Sequence, residues 1–223
     1  MMEKFKKWLK KSKNKKKWYE FSFNSKVKII QGTKFFDPLN EVGGNFIDLI
    51  QIHSAVIHKV GTDTKFVGDG LYANKKGLKM YIRTADCLPI IFYHSGKEIL
   101  SLLHSGWKGT VLVIAKKFLL EMEKLYDLKP EDWEVAFGPC IDLEYYEVGR
   151  EVFEFFDKLN IEGIQVRNNR YFLDLEKANI DILKKCGISK IYRFPEKTYT
   201  SELFYSYRRG DSERNITLGK IKP

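Results

Sequence analysis

Four short segments in the first half of the chain are apolar or alternate between apolar and polar residues. They are separated by breaks rich in turn-forming residues, such as 74–77 and 95–97. Short runs of this kind between Gly- and Ser-containing breaks are typical of β-strands. We therefore predict a sheet that contains strands at residues 66–72, 78–83, 88–93 and 98–103.

The pattern changes to a helical period further along the chain. Apolar residues recur at intervals of three and four between residues 110 and 126, which predicts an amphipathic helix there. A strand into Gly138, a helix near 148–159 and a helix from Asp174 to Gly187 should follow, with Asp174 as the N-cap and Gly187 as the C-terminal stop. We predict an α+β fold, a single domain of mixed sheets flanked by helices in an α/β/β/α-type layered arrangement.

Composition and charge divide the chain into two parts. The 223 residues, 43% of them hydrophobic, suffice for one substantial core. The net charge is +10, but residues 1–17 hold nine lysines and one glutamate, so residues 18–223 carry only +2. This predicts a flexible basic tail at 1–17 and a single catalytic domain at 18–223. A charge concentrated at one terminus does not favour specific nucleic-acid binding.

The tail leaves one alternative open. Phe5, Trp8 and Leu9 would share one face if the tail were helical, so a weak contact with acidic partners or a membrane surface is conceivable. No apolar run reaches the roughly 20 residues of a membrane span, and the basic start is not followed by a secretory apolar stretch. Three cysteines are too few for a disulfide scaffold. We expect a cytoplasmic protein without a transmembrane segment.

Three separated stretches carry the residues best suited to chemistry. They contribute His53, Cys87 and His104, at intervals of 34 and 17 residues, so only the fold can bring them together. Zinc readily accepts two imidazoles and a thiolate, and three protein ligands leave a fourth position open, as in catalytic sites. Each residue alone has a plain alternative, because lone cysteines and histidines are more often buried core groups. Their positions at predicted strand ends favour a shared site.

Five ordered motifs add a resemblance to this interpretation. They are Gln51-Ile-His53, Thr84-Ala-Asp-Cys-Leu-Pro89, His104-Ser-Gly-Trp-Lys-Gly109, Gly138-Pro-Cys-Ile141 with Tyr146-Glu-Val-Gly149, and Ser206-Tyr-Arg-Arg209. Between about residues 43 and 215 the chain resembles the laccase-domain family, long labelled multicopper polyphenol oxidase and now described as purine nucleoside phosphorylase with adenosine deaminase activity. The resemblance implies that His53, Cys87 and His104 are both the metal ligands and the catalytic residues. Zinc is favoured over copper, because a multicopper centre needs more than the four histidines present.

The same resemblance implies substrates and further site residues. A purine nucleoside and phosphate are the expected partners, with adenosine and inosine as substrates, methylthioadenosine as a further candidate, and adenosine deamination in the same pocket. Asp69 could orient a ligand histidine or the substrate ribose, although Gly-Asp-Gly is as often a turn. Arg208 and Arg209 could hold phosphate or form a solvated pair. Trp107 and Lys108 could line a purine pocket, and Cys140 is expected to be structural.

Departures from the family pattern keep other hypotheses open. Members usually carry an arginine before an N-terminal Gly-Gly turn, whereas the first arginine here is Arg83, so Lys26, Lys28 or Lys34 would have to replace it at an anion site. One alternative is a metal-independent cysteine hydrolase with Cys87 as nucleophile and His104 as base, for example in peptidoglycan-precursor editing. A second is a non-catalytic module that binds acidic partners through the basic tail. Two histidines favour a metal, because a dyad needs only one.

Overall fold

Two β-sheets packed on each other organise residues 6–223, the part of the chain that this computed structural model describes. The first sheet has five strands in the order β1-β2-β3-β16-β8. Its strands are all antiparallel to their neighbours: β1 (Leu9–Lys13), β2 (Lys16–Phe21), β3 (Val27–Gln31), β8 (Lys79–Thr84) and β16 (Asn215–Ile221).

The second sheet is mixed and has six strands in the order β15-β11-β9-β10-β7-β5. They are β5 (Ile57–Lys59), β7 (Gly70–Ala73), β9 (Leu88–His94), β10 (Ile99–Ser105), β11 (Trp133–Phe137) and β15 (Lys190–Tyr192). Two small sheets join β4 (Asp48–Ile50) to β6 (Lys65–Val67), and β14 (Arg170–Leu173) to β12 (Glu147–Val148) and β13 (Ile164–Arg167). Every residue of β9 and β10 is buried, which fits their position in the centre of the sheet.

Helices cover the outer faces of both sheets. A core of apolar residues from both sheets, including Phe21, Ile29, Ile91 and Leu102, fills the space between them. The other face of the six-stranded sheet packs against α2 (Trp107–Val111), α3 (Ile114–Tyr126), α4 (Arg150–Lys158) and α5 (Leu175–Lys185), and that of the five-stranded sheet against α1 (Pro38–Val42). The α+β prediction with two sheets between helical layers is confirmed. Within residues 6–223, no helix has the length and apolarity needed to cross a membrane.

The predicted helix at 110–126 is two helices in the structure. The first, α2, begins already at Trp107, and Val113 at φ 50° separates it from α3. Both helices direct apolar residues to the same core, so the sequence period continues through the break and does not reveal it. The two later helices agree with prediction: the Asp174 side chain accepts the Lys177 amide at 2.8 Å, and Gly187 has φ 94° just after α5.

The predicted strand at 66–72 is also divided. It becomes β6 and β7, separated by Gly68 and Asp69. The amides of Asp69 and Gly70 both donate to the Val56 carbonyl, so the ladder is interrupted here. Gly68 is needed here because a Cβ would lie 2.8 Å from the Val56 carbonyl oxygen. The strands predicted at 78–83, 88–93 and 98–103 and the one leading to Gly138 are present.

The predicted boundary at residue 17 differs from the structure. Leu9–Lys13 and Lys16–Phe21 pair as a hairpin at the edge of the five-stranded sheet, and Trp8 is buried among core aromatics. The expected helical face of Phe5, Trp8 and Leu9 is therefore wrong for Trp8 and Leu9, while Phe5 lies outside the described residues. Burial of Trp8 and pairing of Lys6 with Glu134 at 2.7 Å outweigh the lysine-rich composition on which the tail prediction rested.

Candidate active site and metal centre

His53 lies in a loop after β4 that one buried carboxylate holds in place. The Asp69 carboxylate accepts the backbone amides of Ile52 at 3.3 Å and His53 at 3.0 Å, and also the amide and hydroxyl of Ser54. His53 itself has φ 57°, in the left-handed region that non-glycine residues adopt only when their surroundings fix it. These contacts place an exposed imidazole at the sheet edge.

Cys87 lies in the turn between β8 and β9, which a second buried carboxylate anchors. Asp86, at φ 87°, accepts hydrogen bonds from the Thr198 hydroxyl at 2.6 Å, the Ser206 hydroxyl at 3.0 Å and the Arg208 amide at 2.7 Å. The turn is thereby tied to the segment that carries the last sequence motif. Asp86 thus explains why Thr84–Cys87 and Ser206–Arg209 occur together although they are distant in sequence.

His104 lies at the end of β10 and is nearly enclosed. Its side chain is 4% exposed, and its Nδ1 lies 2.7 Å from Oδ1 of Asp69, which is fully buried. This contact leaves Nε2 as the nitrogen available to a ligand. Gly106 permits the approach, because a Cβ there would lie 2.7 Å from the Cys87 sulfur.

The structure brings the three predicted ligands together. One ligand atom from each of His53, Cys87 and His104 lies within 4.8 Å of the others, and the two imidazole rings are 4.9 Å apart at 73°. Two imidazole nitrogens and one thiolate are a donor set that zinc accepts, and Asp69 supplies the carboxylate that metal-bound histidines commonly contact. The residues present therefore fit a metal of this type.

The site also favours ionised groups. Burial would raise the pKa of Asp69, but hydrogen bonds from His104 and Ser54 lower it to about 2. Burial would lower the pKa of His104, but Asp69 and Cys87 raise it to about 9. Burial opposes ionisation of Cys87, yet hydrogen bonds from His104 and His53 lower the pKa of its thiol to about 7. The group can thus present a thiolate near neutral pH.

A cavity of about 960 Å³ opens over the triad. Its walls combine apolar and aromatic groups with four cationic side chains. The apolar and aromatic members include Leu49, Trp107, Ile141, Tyr146, Val148 and Val152, and the cations are Arg83, Lys108, Arg208 and Arg214. The volume lies in the range of small-molecule sites, and the mixture suits a ligand with a flat ring and a negative charge.

The predicted substrate-binding residues separate into different positions. Arg208 lines the cavity, bonds the Glu147 carbonyl at 2.9 Å and lies over the Tyr146 ring at 5.6 Å. Arg209 points elsewhere, because its guanidinium bonds the carbonyls of Thr198 and Tyr199 and pairs with Asp211 at 2.6 Å. Arg209 is not among the cavity-lining residues, and its two terminal guanidinium nitrogens are bound within the protein.

Asp69 and three lysines that were candidates for ligand contacts lie outside the cavity lining. Asp69 has no exposure and bonds His104, so it lies behind the ligands and not against a ribose; of its two predicted roles, the orienting one agrees with the geometry. Lys26, Lys28 and Lys34 are not among the cavity-lining residues and pair with Glu98, Glu20 and Asp211.

Sequence reasoning missed several groups that line the cavity, among them Tyr146, Arg83 and Arg214. Tyr146 stood inside a recognised motif without a role, and Arg83 was noted only as the first arginine of the chain. Arg83 is held by Asp48 at 3.0 Å, and its backbone is bonded at both N–H and C=O by the Gln51 side chain at 2.7 Å. The available signal was its position directly before Thr84, at the end of a predicted strand.

Comparisons of the sequence with known proteins identify relatives of this chain. The chain is 33% identical to a purine nucleoside phosphorylase of Borreliella burgdorferi over 90% of this chain and 95% of that protein. It is 32% identical to one of Clostridium acetobutylicum over 72% of this chain and 70% of that protein.

Solved structures show the same fold. YlmD of Geobacillus stearothermophilus superposes with a TM-score of 0.85 at 23% identity, and the Bacillus licheniformis protein YfiH with 0.84 at 22%; each match covers 96% of this chain and 99% of the other. The model of the family described as multi-copper polyphenol oxidoreductase laccase matches residues 37–221. The chain therefore belongs to the multi-copper polyphenol oxidoreductase laccase family.

Proposed function

We propose that the protein is a purine nucleoside phosphorylase that accepts adenosine and inosine, with methylthioadenosine as a further substrate, and that it also deaminates adenosine. The observation that carries the proposal is the His53, Cys87 and His104 triad within a cavity that has both aromatic walls and cationic groups. Relatives named purine nucleoside phosphorylase support it. The proposed location is the cytoplasm, and the proposed catalytic unit is residues 18–223, to which the strand Leu9–Lys13 adds an edge.

Zinc is the metal that we propose for the triad. It would be held by the Cys87 thiolate, one nitrogen of His53 and Nε2 of His104. When bound, zinc would supply a Lewis acid and lower the pKa of coordinated water to near 7, which suits hydrolytic deamination at the purine ring. The chain's own contribution is the fixed orientation of His104 by Asp69 at 2.7 Å and a thiol that ionises near pH 7.

The cavity walls supply what phosphorolysis requires. A phosphate oxygen forms a bond to the anomeric carbon of the ribose while the bond to the purine nitrogen breaks, and the departing base takes up a proton. Trp107 and Tyr146 offer aromatic surfaces for a purine, and Arg208 is the arginine of the Ser206–Arg209 motif that faces the cavity. Charge-assisted bonds from Arg208 and Arg83 would position phosphate and balance its charge.

A nucleoside panel assayed with and without phosphate tests this proposal. We expect release of free base from inosine and adenosine that requires phosphate, and formation of inosine from adenosine that does not. Both activities should fall after chelation and return with zinc. Absence of both reactions from metal-loaded protein would overturn the proposal.

One observation favours a second candidate, a cysteine hydrolase. Cys87 is hydrogen-bonded to His104 and its thiol has a lowered pKa, as a nucleophile and its base require. A hydrolase of this kind would keep its activity in chelator and lose it on alkylation of Cys87. His53, which the structure places beside both groups, would then have no function, so we rank this candidate second.

A further inference from the structure

Four half-buried lysines cross the outer face of the five-stranded sheet, away from the catalytic cavity. Lys28, Lys220 and Lys79 stand directly opposite one another on β3, β16 and β8. Lys11 on β1 extends the set, with Glu20 on β2 between it and Lys28. We call Lys11, Lys28, Lys79 and Lys220 the lysine row; none of the four lines the catalytic cavity.

The position of Lys220 is electrostatically unfavourable as it stands. Like charges directly opposite on neighbouring strands repel, and Lys220 has one on each side. Burial of its stem, together with Lys28, Lys79 and Lys222, lowers its pKa. Within residues 6–223, the Lys220 ammonium makes no hydrogen bond or ion pair, although the weaker field of Glu20 reaches it.

Its neighbours are only partly neutralised. Lys28 pairs with Glu20 at 2.7 Å, and Lys79 donates to the Gly43 carbonyl at 2.6 Å. Glu20 also acts on Lys11 and Lys220, so one carboxylate faces three ammonium groups, while Lys79 has a neutral partner. The row crosses five strands, about 19 Å perpendicular to them at the usual strand spacing of roughly 4.8 Å, and Lys11 is also displaced along the strands from the line of the other three lysines. A single small anion can neutralise one part of it, whereas a linear polyanion can follow its whole length.

Aromatic groups on this face are already engaged. Trp18 stacks on Phe36 with ring centroids 4.6 Å apart, and Lys79 lies over the Phe46 ring at 5.5 Å. Single-stranded nucleic acids gain much of their affinity from bases stacked on free aromatic rings. Trp18, Phe36 and Phe46 already have partners, which favours a ligand that is recognised through phosphate alone.

We propose that the lysine row binds linear condensed phosphate, a chain of the inorganic polyphosphate class, with Lys220 at its centre. The ligand's repeated negative charges would lie across the strands and relieve the repulsion among Lys28, Lys220 and Lys79. The site is separate from the triad and does not depend on the proposed enzymatic function.

Titration of the full-length protein with sodium tripolyphosphate and with long-chain polyphosphate tests the proposal. We expect saturable binding that is tighter for the longer chain and weakens as salt rises. Lys220→Gln should weaken it at least fivefold, and Lys220→Arg should restore it. Lys117→Gln, on the exposed side of α3, is the matched control and should bind as wild type.

Two further measurements keep the proposal falsifiable. Without ligand, Lys220→Gln should raise the melting temperature by about 1–2 °C because the repulsion is gone, while nucleoside turnover is unchanged. Equal binding by Lys220→Gln and wild type would overturn the proposal, as would no binding of either phosphate chain. Tighter binding of an oligouridylate with the same number of phosphates would also overturn it, since that would identify a nucleic-acid surface.

Discussion

Cys87 and Cys140 lie in neighbouring turns, yet their thiols differ strongly. Both lose solvation, which raises the pKa of any thiol. Around Cys87, hydrogen bonds from His104 and His53 reverse this effect and bring the pKa to about 7. Around Cys140 burial prevails, and the pKa rises to about 12 although the Lys197 ammonium lies 3.6 Å from the sulfur.

The reason for the difference is where the neighbouring charges are committed. Lys197 forms an ion pair with the buried Glu176, which Arg193 also contacts. The carboxylate compensates the positive charge of Lys197, which therefore does little to stabilise a Cys140 thiolate. Near Cys87, the Asp69 carboxylate bonds His104 and holds it in place, and both histidines still form hydrogen bonds with the Cys87 sulfur. Thiol chemistry in this fold is thus decided by neighbours, and burial alone gives an inert cysteine.

The largest expected effect comes from removing each sulfur in turn. Cys87→Ala should abolish metal binding and lower phosphorolysis by more than about 10³-fold, on the scale seen when a member of a catalytic group is removed. Cys140→Ala should keep turnover within about threefold and cost only stability. Metal analysis and steady-state kinetics on both variants check this. Full metal content in Cys87→Ala would show that the triad is not the site.

Alkylation of metal-free protein should separate the thiols by at least about 100-fold in rate at pH 7. Only the thiolate reacts, so the rate at Cys87 should rise with pH through about 7, while Cys140 stays protonated to about 12. Mass spectrometry of iodoacetamide-treated protein between pH 5 and 9 would measure both. Similar rates at the two cysteines would show that the neighbouring histidines do not make Cys87 the more reactive thiol.

The two adjacent arginines should also differ because their contacts differ, although the expected effects are smaller than for the cysteines. Arg208 faces the cavity, so Arg208→Met should raise the half-saturating phosphate concentration by roughly 10- to 150-fold, equivalent to about 1.5–3 kcal/mol. It should leave phosphate-independent deamination largely intact. Arg209→Met should instead lower the melting temperature, because its carbonyl and Asp211 contacts are lost. A phosphate effect confined to Arg209→Met would contradict the site geometry.

Asp69 should have the smallest effect on chemistry but a measurable one on the metal. Asp69→Asn should weaken metal affinity about 10- to 100-fold, because His104 loses the carboxylate that orients it. The folded pKa of Asp69, about 2, is below its ordinary 3.8, so its contribution to stability is complete above pH 4 and is lost as pH falls through 2. Chemical unfolding of metal-free protein from pH 2 to 7 checks this. The free energy of unfolding should be higher for the wild type than for Asp69→Asn, and the difference should become smaller only below about pH 4.

Much of the fold and the triad could be predicted from local patterns. Apolar runs between turn-forming residues located β8, β9 and β10, and the helical period located α5, which buries one face. The break at Val113 could not be predicted, because both helices pack on one core without interrupting the apolar period. The hairpin of Leu9–Lys13 and Lys16–Phe21 was hidden by its lysines, some of which pair with acids distant in sequence, as Lys10 does with Glu196 at 3.0 Å.

Side-chain direction was the other quantity that the sequence did not contain. The motif Ser206–Arg209 gives no sign that Arg208 faces the cavity while Arg209 bonds carbonyls ten residues before it. Likewise, the Gly68-Asp69-Gly70 turn is compatible with a surface carboxylate, and only the paired sheets show that Asp69 is enclosed behind His104. Tertiary packing decides these directions.

We predict that His53, Cys87 and His104 hold one zinc ion in the cavity. Anomalous diffraction at the zinc edge, on crystals of protein purified without chelator, would locate the ion. We predict one strong peak about 2.0–2.3 Å from the Cys87 sulfur and from one nitrogen of each histidine. Zinc-supplemented crystals with no peak among these three residues would show that the triad is not a zinc site.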